Sequence, residues 1–119
     1  MNPLLQKLGI TLPIIQAPMA GTSTPAMAAA VSNAGGLGSL GVGATDAAGA
    51  RDMIVKVRAA THRAFQVHLF CHKPAVPDPA RAAGWIEHLR PVFAQYDAQP
   101  PSRLREIYKS FVDNDEMLE

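Results

Sequence analysis

Pro13 and Pro18 enclose four residues, Ile14-Ile15-Gln16-Ala17, and the rest of the chain is organised around what those four can form. A proline donates no hydrogen bond to a sheet ladder, so the pair limits any strand here to about four or five residues. The run is too short for a helix and barely alternates in polarity, the pattern of a parallel strand covered on both faces. Met19-Ala20-Gly21-Thr22-Ser23 then reads as a turn. Thr24 is suited to N-cap a helix, and Pro25 to its first position, where the missing N–H costs nothing. Ala26–Asn33 is alanine-rich and slim enough to lie close against a sheet. Asn33-Ala34-Gly35-Gly36 supplies a stop signal, and Leu37–Val42 resumes as a strand.

The same alternation continues on both sides. Leu4–Ile10 reads as a short helical lead-in. Thr45 or Asp46 starts a helix running to about Ala60, with Met53, Ile54 and Val57 as its apolar stripe. Ala64–Cys71 is a third strand, on which Phe65, Val67 and Leu69 share one face and Gln66, His68 and Phe70 the other. Three strands separated by helices form a βαβαβ series, which implies an α/β fold with a parallel sheet and right-handed crossovers. His72–Pro79 is a proline-rich loop ending in an N-cap and first-turn proline, Asp78-Pro79. Trp85, Ile86, Leu89, Phe93 and Tyr96 recur at helical spacing over Ala80–Tyr96, with Pro91 expected to kink that helix. After Pro100-Pro101, Ser102 is positioned to cap a last helix carrying Leu104, Ile107, Tyr108 and Phe111, followed by an acidic, frayed end. Residues 1–119 read as a single domain.

Several function classes are disfavoured at this point. A net charge of +1 gives no electrostatic basis for binding nucleic acid or an acidic membrane. One cysteine excludes an intramolecular disulfide and fits a reducing compartment. The opening MNPLLQKLGI lacks a basic segment followed by a long apolar core, and no apolar run approaches the roughly 18–20 residues of a membrane span. The expectation is a soluble, cytoplasmic protein without a membrane partner.

Gly36-Leu37-Gly38-Ser39-Leu40-Gly41 matches G-x-G-x-x-G letter for letter. That fingerprint binds dinucleotides only where it follows a strand and opens a helix. Here it leaves a helix and enters a strand, so its glycines are read as a helix stop and as sites of close backbone packing. Ala17-Pro18-Met19-Ala20-Gly21 follows the first strand, the edge where parallel α/β folds collect ligands. A backbone N–H near Met19 is placed to reach a flat ring from the side; the plain alternative is a Pro18–Gly21 turn with no ligand. His68, Cys71 and His72 are close in sequence, but strand geometry sends His68 and Cys71 to opposite faces, and no second ligand cluster follows. No metal site is expected. Nothing places a base beside Cys71, and His62 and His88 read as solvated helix residues.

PIIQAPMAG followed by TPAMAAAVSNAGGLGSLG resembles the opening of the nitronate monooxygenase family, once called 2-nitropropane dioxygenases. The likeness continues through Phe65–Pro74 and into Tyr108–Phe111. FMN-dependent enoyl reductases share a similar opening. The resemblance implies a TIM-barrel-like (β/α) fold, FMN as cofactor, and oxidation of alkyl nitronates with O2 to carbonyl compounds and nitrite. It also implies that Met19 and Ala20 approach the flavin near N5. The family pattern F-N-V-N-L-F has a flavin-contacting asparagine where this chain carries His68, and another where it carries Gln66. Neutral histidine keeps one donor and one acceptor but is bulkier. The family's catalytic histidine and phosphate-binding strands belong to later units, so no catalytic residue is assigned among the four histidines here.

A closed barrel of this kind takes about 250 residues. With 119, the chain supplies about three β/α units of an incomplete barrel, and its third strand is expected to be an unpaired edge. Two functions follow. One is the N-terminal portion of a flavin-dependent nitronate monooxygenase; the other is a truncated, non-catalytic α/β fragment that self-associates through its open edge or needs a complementary chain.

Overall fold

The computed structural model describes residues 2–118, which pack as two compact units. One unit runs to Lys73 and includes the stretch from Tyr108 onward; the other is Pro74–Ile107. In the first, α1 (Pro3–Leu8) is capped by Asn2, whose side chain accepts from the Leu4 N–H, and is ended by Gly9 at φ 66°. Helix α2 (Pro25–Asn33) begins as expected: the Thr24 hydroxyl accepts from the Met27 N–H at 3.1 Å, and Pro25 occupies the first turn. Asp46 caps α3 (Ala47–Ala60) by accepting from the Gly49 N–H at 2.8 Å. Strands β1 (Gly38–Gly41) and β2 (Phe65–His68) pair in parallel, with Gly38 beside Phe65, Ser39 beside Gln66, Leu40 beside Val67 and Gly41 beside His68. The third strand therefore stops at His68, short of the expected Cys71.

The expected first strand shrinks to one parallel bridge, Ile15 to Leu37. The Leu37 N–H donates to Ile14 O at 2.9 Å and the Gln16 N–H to Leu37 O at 3.0 Å. The next rung of a parallel ladder would take its donor from residue 18, which is proline and has none. The Gln16 carboxamide replaces that rung. Its Nε2 donates to Ser39 O at 3.1 Å, and its Oε1 accepts from the Ser39 N–H at 3.3 Å. The sheet thus consists of three parallel segments in chain order, the first joined to β1 partly by a side chain.

Its two faces differ sharply. Toward α2 and α3, Leu40, Val42, Val57, Ala28, Ala29 and Ala50 form the core, flanked by partly buried Met53, Ile54, Phe65, Val67 and Leu69. The stripe read for α3 is the one buried here, and α2's alanines let its backbone approach β1. Gly38 takes part in that approach, since a Cβ there would collide with the Ala28 carbonyl. The opposite face carries Ser39, Gly41, Gln66 and His68. The strand alternation read from the sequence is the observed one.

The segment after residue 101 departs from expectation. No helix starts at Ser102; 3₁₀ turns form at Phe111–Asp113 and Asp115–Met117. Tertiary contacts claim this backbone instead. The Ser110 hydroxyl donates to His72 O at 2.6 Å, and the Phe111 N–H to Phe70 O at 2.7 Å. Tyr108 meets Phe70 edge-on at 5.2 Å between ring centroids, and Met117 packs on the core. His62 follows α3 in a bend rather than lying on a helix.

The second unit holds α4 (Pro79–Ala94), capped by Asp78 through the Arg81 N–H at 2.9 Å, with Pro91 inside it. Of the apolar stripe read there, Ile86 is buried, whereas Trp85 stacks on exposed His88 and Tyr96 is 78% exposed. Arg90 hydrogen-bonds Glu87 on the outer face and holds its carboxyl below the usual range.

Candidate functional site

In a parallel α/β sheet the strands' C-terminal ends bring their following loops together. Here that edge is made by Gln16–Gly21, the end of β1 and the end of β2. Gly41 lies at its centre. It is His68's register partner, and a Cβ on it would sit 2.9 Å from Ala20 N and 3.2 Å from the Met19 carbonyl carbon. Met19, Ala20 and His68, far apart in sequence, therefore converge on one glycine. Met19 is 40% exposed and His68 is exposed, with its ring edge-on to Phe70 at 6.0 Å.

The loop between them is held by a buried serine that sequence reasoning missed. Ser23, 3% exposed, accepts from the Met19 N–H at 2.9 Å and from Gln16 Nε2 at 3.1 Å, and donates to Ala17 O at 3.1 Å. The Thr22 and Ser23 N–H groups both donate to Met19 O, at 3.1 and 2.8 Å. Consequently, of the N–H groups near Met19, that of Met19 itself is already engaged. The Ala20 N–H has no acceptor among the described residues. Gln66 adds a brace from the third strand, its Nε2 donating to the Ser39 hydroxyl at 2.8 Å. Glutamine two residues before proline was the available signal, because the lost N–H leaves a carbonyl that a carboxamide can satisfy.

The residues of this edge offer an unpaired backbone donor at Ala20, a thioether at Met19, an imidazole at His68, and a β1 backbone without a side chain at Gly41. Among the described residues, no three His, Cys, Asp or Glu side chains are grouped to hold a metal ion, and no helix is long and apolar enough to cross a membrane. Cys71 is exposed. An open groove of about 580 Å³ in the second unit is lined by Ala82, Ala83, Ile86 and Leu104. Its lining comes wholly from Ala75–Glu106, and of its two acidic members, Asp78 and Glu106, Asp78 is spent on capping α4.

The fold defines the chain as parallel β/α units of an incomplete TIM-barrel-like fold. Residues 2–112 match the nitronate monooxygenase family model, and the chain belongs to that family. It is 56% identical over 115 residues to a nitronate monooxygenase of Paraburkholderia phytofirmans, covering 97% of this chain and 31% of that protein. The corresponding enzyme of Pseudomonas aeruginosa is 53% identical over 111 residues, covering 93% of this chain and 32% of the other. Among solved structures, nitroalkane oxidase from Streptomyces ansochromogenes superposes with a TM-score of 0.66 at 38% identity, over 80% of this chain and 26% of that one. FabK from Thermotoga maritima gives 0.57 at 33% identity, over 80% and 27%. The chain thus spans about a third of the length of the curated relatives it matches.

Proposed function

We propose that this chain forms the N-terminal β/α units of an FMN-dependent nitronate monooxygenase and supplies one wall of its flavin site. The convergence of Met19, Ala20 and His68 on Gly41 carries the reading. When bound, FMN supplies the redox chemistry by which an alkyl nitronate and O2 become a carbonyl compound and nitrite. The chain's own residues bind and orient. The Ala20 N–H is the donor toward the ring's N5 edge, Met19 covers its flank with apolar surface, and His68 offers a hydrogen bond where the family pattern has asparagine. The proton-handling histidine and the phosphate-binding groups belong to later units of the complete barrel. The protein works in the cytoplasm on small molecules, without nucleic acid or membrane partners.

A second reading, a non-catalytic fragment that self-associates or pairs with a complementary chain, draws support from Ile14 and Ile15, 56% and 55% exposed on the first segment, at the margin of the sheet opposite β2. Reconstitution separates the two. Joined to the later units of a full-length relative, this chain is expected to give a yellow protein that consumes O2 with a nitronate. A colourless, well-folded chimaera would overturn the flavin reading.

A further inference from the structure

We infer that Ser23 is the positioning residue of this edge: its buried hydroxyl, steadied by Gln16, takes up the Met19 N–H and leaves the Ala20 N–H as the amide that meets the ring. The inference rests on the flavin reading above. A serine hydroxyl has one donor and two acceptor sites, and here all are used, by Ala17 O, the Met19 N–H and Gln16 Nε2. Its orientation is therefore determined, and so is that of the Met19 peptide. The turn itself requires none of this, since the Thr22 and Ser23 N–H groups already close it onto Met19 O. What the hydroxyl adds is a choice between two neighbouring donors. That choice is tied to the sheet, because the Gln16 carboxamide bonds both backbone groups of Ser39, and the Ser39 hydroxyl accepts from Gln66. Ser39 is fully buried and Ser23 nearly so, and the partly buried Gln16 and Gln66 link them from the third strand to the loop. Two free amides would let a ring settle in either of two registers, one peptide apart; one free amide admits a single register.

The experiment uses the full chain, isotopically labelled, with amide exchange and FMN titration followed by NMR at millimolar FMN. In the wild type, the Met19 amide should exchange slowly and the Ala20 amide quickly, and FMN should shift Ala20. In Ser23→Ala, exchange at Met19 should accelerate roughly tenfold, as expected for one lost hydrogen bond. The FMN-dependent shift should then spread to Met19 and shrink at Ala20, while the Leu40 and Val57 amides stay protected. Ser23→Thr, which retains the hydroxyl, should restore the wild-type pattern. Should Ser23→Ala lose protection at Leu40, Ser23→Cys replaces it, a side chain of similar shape whose sulfur is only a weak acceptor for the Met19 N–H. A Met19 amide that exchanges freely in the wild type overturns the clip. An Ala20 shift identical in wild type and Ser23→Ala overturns the positioning role and leaves the flavin reading intact. No shift at Met19, Ala20 or His68 in the wild type would instead overturn the flavin reading, and this inference with it.

Discussion

Gly38 has no room for a side chain, because a Cβ there would collide with the Ala28 carbonyl and crowd the Ser32 hydroxyl. Gly38→Ala should therefore push α2 off β1 and cost roughly 1–3 kcal/mol, the usual range for overpacking, read from urea melts. An unchanged midpoint would mean that α2 yields freely. His68 and Leu69 offer a paired test of strand register, since adjacent strand residues face opposite ways. Leu69 flanks the core, so Leu69→Asn should destabilise by a few kcal/mol through lost apolar burial and an unpaired amide. His68 is exposed at the ligand edge, and His68→Asn, made in a flavin-loaded full-length relative bearing the same strand, should keep or improve flavin retention. Thermal melts and flavin content compare the two. Unfolding by His68→Asn with mere flavin loss by Leu69→Asn would reverse the faces of β2. At this scale the sequence was informative where a residue's constraint is local. Thr24, Pro25 and Asp46 took the capping places their chemistry suits. Which amide near Met19 is already engaged was not legible, because the acceptor Ser23 is set by a loop closure that no periodicity encodes.

The first parallel segment is the element whose stability rests least on its own backbone. Gln16 completes the ladder that Pro18 interrupts, so the two positions should be coupled energetically. Gln16→Met alone leaves the Ser39 N–H and C=O without those partners, and should cost about 1–3 kcal/mol. Pro18→Ala restores a backbone donor opposite Ser39 O, so the double variant should recover part of that loss. A double-mutant cycle measures it; additive effects would show that the carboxamide does not stand in for the missing rung. The helix expected from Ser102 failed for the converse reason. Leu104, Ile107, Tyr108 and Phe111 have helical spacing, yet Tyr108 and Phe111 are drawn onto Phe70 and Ser110 onto His72 O. Those contacts lie 38 or more residues away in sequence and outweigh a weak local preference.

For the whole molecule, the three parallel segments present one apolar face that is covered by helices and one polar face that is not. Ile14, Ile15 and Leu12 remain substantially exposed around the first segment. Light scattering on the isolated chain should therefore show concentration-dependent association, and a clean monomer at all concentrations would count against the open-edge reading. Flavin fluorescence titration should give weak binding, because on the proposed reading the phosphate-binding groups belong to later units; stoichiometric, submicromolar binding would reveal a site of a different kind. By itself the sequence determined what short-range chemistry controls: the order of helices and strands as far as α4, the caps of α2 and α3, the alternation on β2, and a glycine run that packs closely. The family resemblance was equally legible, being carried by contiguous motifs. Only the tertiary structure decided that Met19, Ala20 and His68 meet at Gly41, and that the Ala20 amide is the free one. It also decided that the chain's end lies on Phe70. Each of these depends on which distant backbone group reaches a donor first, and that is settled by packing between segments rather than by any pattern within one.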